Sequence, residues 1–133
     1  MKILFTDGTI KTVLMDSISY VTNDNRGDIL ISGSHGGTSS AKYALDCRAG
    51  AALFNDAGSG KNNAGIKGFK MLQQAGIIAV AVSHESAEIG NAADTYEHGI
   101  VSYVNECAQI AGLQAGCTAA ETVTILRAYL RGK

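Results

Sequence analysis

Three short segments concentrate the residues able to do chemistry. Ser32-Gly33-Ser34-His35-Gly36-Gly37-Thr38-Ser39-Ser40 mixes hydroxyls, a histidine and small residues. Asn55-Asp56-Ala57-Gly58-Ser59-Gly60-Lys61-Asn62-Asn63 adds a carboxylate and an ammonium, and Ser83-His84-Glu85-Ser86 a second imidazole beside an acid. Ser34 sits in a small-x-Ser-x-small pattern, the form of a nucleophile elbow between a strand and a helix. Asp56 can then orient His84 or His98 as base, in the serine, acid, histidine chain order of α/β-hydrolases. Without a nucleophile, His35, Asp56, His84 and Glu85 can still serve as general acids and bases on a bound carbonyl compound.

The same segments suit anion binding. Glycines flanking hydroxyls before a helix can fold backbone N–H groups around a carboxylate or phosphate. The expected ligand-binding set is Ser32, Gly33, Gly36, Gly37, Thr38 and Ser39 from the first segment. Asn55, Gly58, Ser59, Gly60, Lys61 and Asn62 come from the second, and Ser83, Ser86 and Asn105 from the later strand ends. The Lys61 ammonium could pair with the same anion. The second segment is not a phosphate-binding loop of the Walker type: Asn62 stands where magnesium needs a hydroxyl, and Asn55 replaces the first glycine. No cofactor is indicated. No metal site is expected either, because the histidines and carboxylates lack ligand spacing such as H-E-x-x-H.

The elements that must position these segments follow from apolar runs and glycines. Residues 2–15 are two β-prone stretches around Asp7-Gly8, a hairpin signal. Ile29-Leu30-Ile31, Ala51 to Phe54, Ile77 to Val82 and Ile100 to Val104 are apolar on both faces, as strands inside a covered parallel sheet are. Helical spacing marks 40–48, 63–75 and 91–98, and Gly50, Gly76 and Gly99 read as helix ends leading into the next strand. Repeats of roughly 25 residues suffice for parallel crossovers. Helices follow at 106–113 and after Thr118-Ala119-Ala120-Glu121, a capping box. The expectation is one domain over 1–133: a three-layer α/β fold whose mostly parallel sheet has about four core strands, with an N-terminal hairpin and C-terminal helices. In such sheets ligands bind at the carboxyl ends of the strands.

Composition bounds the function. The chain has 133 residues, the size of one domain, and its net charge of -1 gives no footprint for nucleic acid. No apolar run reaches the roughly 20 residues of a membrane span, and MKILFTDG is unlike a secretory signal, so a cytoplasmic protein with no membrane partner is expected. Three cysteines, Cys47, Cys107 and Cys117, without paired spacing suggest reduced thiols. Arg26-Gly27-Asp28 reads as a coincidental tripeptide. Small residues at Ala108, Ala111, Gly112, Ala115 and Gly116 suggest close approach of a second copy, hence a homo-oligomer.

The segments SGSHGG, FNDAGSGKNNAGI and AVSHESAEIGNAADTYEHGIVSYVN, with the last helix, resemble a family of small bacterial proteins of unassigned activity. The resemblance spans about residues 28–126. It implies a shared binding site at the strand-end loops and brings no reaction with it.

Two functional readings result. One is an enzyme, of the hydrolase or lyase type, acting on a small anionic metabolite through Ser34, His35, Asp56, His84 and Glu85. The other is a non-catalytic protein that binds or sequesters a nucleotide-like ligand by main-chain amides and hydroxyls.

Overall fold

A computed structural model describes residues 1–58 and 63–133. These form an open six-stranded sheet and five α-helices in an α/β arrangement. The strands are β1 (Lys2–Asp7), β2 (Ile10–Met15), β3 (Ile29–His35), β4 (Ala51–Asn55), β5 (Ile78–Val82) and β6 (Val101–Val104), in sequential order across the sheet. The helices are α1 (Thr38–Cys47), α2 (Phe69–Gln74), α3 (Ala92–His98), α4 (Glu106–Ile110) and α5 (Ala119–Arg131).

The sheet is mixed. β2 to β5 run parallel, whereas β1 pairs with β2 and β6 with β5 antiparallel. Two expectations change accordingly. The second arm of the hairpin is not an appendage: Val13 and Met15 are buried, and the arm pairs in parallel register with β3. The last strand, expected parallel, enters from the carboxyl edge and runs back, because α3 leads straight into Ile100, whose carbonyl accepts from the Ser83 amide at the end of β5.

Burial explains the layers. Leu30, Ala52, Phe54, Ala79 and Ala81 face α1 and α2, packing on Ala41, Ala44, Phe69 and Leu72. Ile29, Ile31, Leu53, Val80 and Val82 face the other way, against Ala108 of α4 and Ala119, Val123 and Leu126 of α5. Strands apolar on both sides thus occupy the middle of three layers, as their composition requires.

At the hairpin, Asp7 pairs with Ile10, so the two turn residues are Gly8 and Thr9, one place later than expected. Gly8 alone has a positive φ, of 64°, the pattern of a type II′ turn. Of the three glycines read as helix ends, only Gly76 is left-handed, with φ 74°. Arg48 takes that conformation at the end of α1, with φ 54°. The capping box is present: the Thr118 hydroxyl accepts from the Glu121 amide at 3.1 Å, and the Glu121 carboxylate accepts from the Thr118 amide at 3.0 Å.

Ala108 and Ala111 are buried in the chain's own core, and Gly112 and Gly116 adopt positive φ in turns. The small residues that suggested a second copy are therefore largely used within the chain. No helix among the described residues is long and apolar enough to cross a membrane.

Candidate functional site

The parallel strands β3, β4 and β5 end on one edge, and the three chemistry-bearing segments meet there. His35 lies opposite Asn55 in the strand register. The Asp56 amide donates to the Val82 carbonyl at 2.8 Å, and the Gly90 amide donates to the Gly33 carbonyl at 2.7 Å. In a doubly wound sheet the ligand crevice opens at such an edge. There, strand order reverses and helices diverge to opposite faces at the reversal. Here strand order never reverses, and α1 and α2, the helices of two of the three parallel crossovers, lie on one face.

The first segment serves mainly as structure. Ser32 to His35 continue β3 instead of forming a loop. The Ser32 hydroxyl is buried and donates to the Leu53 carbonyl at 2.8 Å. Ser34 has no positive φ and hence no elbow, and its Oγ accepts from the Ile18 amide at 3.0 Å. The nucleophile reading of Ser34 loses its geometric basis, because a nucleophile elbow needs a strained turn that leaves the hydroxyl unencumbered. His35 is exposed, with its Nδ1 accepting from the Gly37 amide at 3.0 Å.

The glycines of this segment are close-packing residues. A Cβ on Gly36 would lie 2.5 Å from Phe69 Cε1 and 2.8 Å from the Gly65 carbonyl oxygen. One on Gly37 would lie 2.8 Å from the His35 ring, and one on Gly33 would overlap the Gly90-Asn91 backbone. Their amides are already committed: Gly33 donates to Asp16, Gly36 to Gly65 and Gly37 to His35. That corrects the anion-nest expectation for these three residues. Thr38 and Ser39 are exposed in the first turn of α1, which receives no side-chain cap.

The second segment yields a carboxylate held by three donors. Asn55 is fully buried, its amide group donating to the Ala87 carbonyl at 2.9 Å and its oxygen accepting from the Ala57 amide at 2.8 Å. It holds loops together and is not presented to a ligand. Asp56 Oδ1 accepts from the Gly58 amide at 2.7 Å and the His84 amide at 3.1 Å, and Oδ2 accepts from the Ser102 hydroxyl at 2.7 Å. His84 Nδ1 lies 3.5 Å from Oδ1, with half of the ring side exposed. Burial pushes the Asp56 carboxyl up, but the Ser102 hydroxyl, the two amides and the His84 ring together outweigh it and hold it below the usual aspartate range. Gly58 has φ 71°, and a Cβ there would lie 3.4 Å from the imidazole, so the turn closes around the ring. Ser59, Gly60, Lys61 and Asn62 lie outside the described residues.

In the third segment only His84 joins this cluster. Glu85 is exposed, and among the described residues it makes no ion pair. Ser83 and Ser86 close their own turn: Ser86 Oγ donates to the Ser83 carbonyl at 2.8 Å and accepts from the Ile100 amide at 2.9 Å. His98 pairs with Asp94 at 2.7 Å within α3. Asn105 lies at the opposite edge, a consequence of the reversed last strand. Its side chain donates to the Ile77 carbonyl at 2.9 Å and accepts from the Ala79 and Ala108 amides at 3.1 and 3.0 Å. It braces the start of β5 and caps α4.

Ser102 is the candidate-site residue that sequence reasoning missed. It stands on β6, 46 positions from Asp56, and reaches it only because β6 is antiparallel. The cysteines are all free, and burial pushes the Cys47 thiol up, which suppresses its reactivity. Among the described residues no three histidine, cysteine or carboxylate side chains form a metal-binding set. Fold and cluster define an open α/β sheet protein with an Asp–His pair at its carboxyl edge. Comparison with protein-family models, with curated proteins and with solved structures finds no match.

Proposed function

We propose that this chain is an enzyme acting on a small anionic metabolite at the carboxyl edge, with His84 as general base and acid and Asp56 as its orienting carboxylate. The observation that carries the reading is the Asp56 carboxylate, ionised and fixed by three donors, with the His84 ring against it. The carboxylate, 3.5 Å from imidazole Nδ1, favours the proton on that nitrogen and leaves the Nε2 lone pair for a substrate or water, the division of labour found in catalytic Asp–His pairs. Hydrolysis and elimination both need such a proton transfer, worth about 10²–10⁴-fold in rate. His35, whose Nε2 has no partner among the described residues, and the uncapped first turn of α1 at Thr38 and Ser39 supply donors for an anionic substrate group.

The non-catalytic reading leaned on main-chain amides and hydroxyls, and among the described residues the amides of Gly33, Gly36, Gly37, Ala57 and Gly58 already have partners within the chain. This favours the enzyme. The test is turnover. Purified protein is incubated with a metabolite extract and followed by mass spectrometry, beside His84→Gln and Ser34→Ala. The wild type and Ser34→Ala should consume the same anionic metabolite, and His84→Gln should be slower by about 10²-fold or more. Equal consumption by His84→Gln, or none by the wild type, overturns the proposal.

A further inference from the structure

A cleft of about 560 Å³ lies between α2 and the wall made by β6 and α4, with Asn63 from the end of the second segment on its rim. Its volume falls within the range of small-molecule sites. Its floor is aromatic: the Phe69 ring packs 5.7 Å from Phe54 and 5.4 Å from Tyr103, all at tilted angles. Phe54 and Phe69 are buried, and Tyr103 is 43% exposed, so two fixed rings hold a third open to the cleft. Lys67, in the turn before α2, and Lys70, in its first turn, line the α2 side together with Gln73. Both lysines are exposed, and neither pairs with a carboxylate among the described residues. Glu106, at the start of α4, is the carboxylate of the opposite wall.

We infer that this cleft is a second binding site, separate from the Asp56–His84 pair, for a planar aromatic anion: a ring bearing a carboxylate or a phosphate. The ring stacks on Tyr103, whose position is set before the ligand arrives, so little side-chain freedom is lost on binding. The anionic group takes the ammonium groups of Lys67 and Lys70, making charge-assisted hydrogen bonds. Two ammonium groups against one carboxylate make the cleft selective for negative ligands. Gln73 and Glu106 are left to meet polar groups on the ring's edge, Gln73 with its side-chain NH₂ while its oxygen accepts from the Cys107 amide.

The probes are 1-naphthyl phosphate and 1-naphthoate, with neutral 1-naphthalenemethanol as control, titrated into the full chain and read by amide NMR shifts. Both anions should saturate with shifts at Gln73, Tyr103 and Val104, and the alcohol should bind at least about tenfold more weakly. Tighter binding of the phosphate assigns the site to phosphate monoesters, and tighter binding of the naphthoate assigns it to carboxylates. Lys67→Met/Lys70→Met and, separately, Tyr103→Ala should each weaken binding at least about tenfold. The lysine pair is exposed, so that variant keeps its fold, checked by an unchanged thermal midpoint. His84→Gln should bind both probes like the wild type, which separates this inference from the proposed activity. Shifts confined to other residues, equal binding of the alcohol, or wild-type affinity in the double lysine variant overturns it.

Discussion

Replacing Asp56 by alanine leaves three donors, the Gly58 and His84 amides and the Ser102 hydroxyl, facing a site where the native side chain is 10% exposed. An unpaired buried donor costs about 1–3 kcal/mol. Ser102 can turn toward the Ala81 carbonyl, already 3.4 Å away, and water can reach the Gly58 turn. The net loss at neutral pH should therefore be about 2–4 kcal/mol, a fall of roughly 6–16 °C in thermal midpoint for a chain of this size. Asp56→Asn keeps an oxygen for the two amides and should lose only about 1 kcal/mol. The pH dependence has a fixed sign. Because the folded carboxyl titrates below its unfolded value, its contribution is complete above the unfolded pKa of about 3.9 and disappears as pH falls through the lower, folded one. Urea unfolding across this range should show a constant gap between wild type and Asp56→Ala down to about pH 5, closing below pH 4. A gap under about 0.5 kcal/mol at neutral pH, or one that widens on acidification, would refute the three-donor carboxylate.

Three other substitutions separate structural from functional residues. Gly36→Ala forces a Cβ against Phe69 and Gly65, so urea unfolding should show a loss of about 1–3 kcal/mol in the absence of any ligand. Asn105→Ala removes three buried hydrogen bonds at the edge remote from the Asp56 cluster. It should destabilise by about 2–4 kcal/mol while turnover per folded molecule stays at the wild-type value. Thr118→Ala should cost α5 about 1 kcal/mol of cap energy, measured by the same unfolding curves.

The sequence made β3, β4 and β5 legible because a strand buried on both faces needs an unbroken apolar run, and few other elements of that length do. The α5 cap was legible because its two hydrogen bonds span only three positions. Strand direction at β6 was not. Its four residues, Val-Ser-Tyr-Val, fit either direction, and what decides is that α3 leads into the carboxyl edge instead of returning beneath the sheet. That single reversal removed Asn105 from the candidate site and brought Ser102 into it. Glycine was ambiguous for a different reason. An anion nest and a close backbone crossing both require a missing Cβ, and only the neighbours of Gly33, Gly36 and Gly37 show that crossing is the use here. Asn55 and Asp56, adjacent in sequence, parted in role because one side chain turns inward to Ala87 and the other toward His84.

Nitrogen chemical shifts of the two edge imidazoles, recorded across a pH series, bear most directly on the Asp56–His84 pair. His84, with Nδ1 against the carboxylate, should carry its proton on Nδ1, and His35, whose Nδ1 accepts from the Gly37 amide, should carry its proton on Nε2. In Asp56→Asn the His84 preference should weaken while His35 stays unchanged. A His84 ring protonated on Nε2 in the wild-type protein would contradict the orienting role of Asp56 and, with it, the general-base assignment.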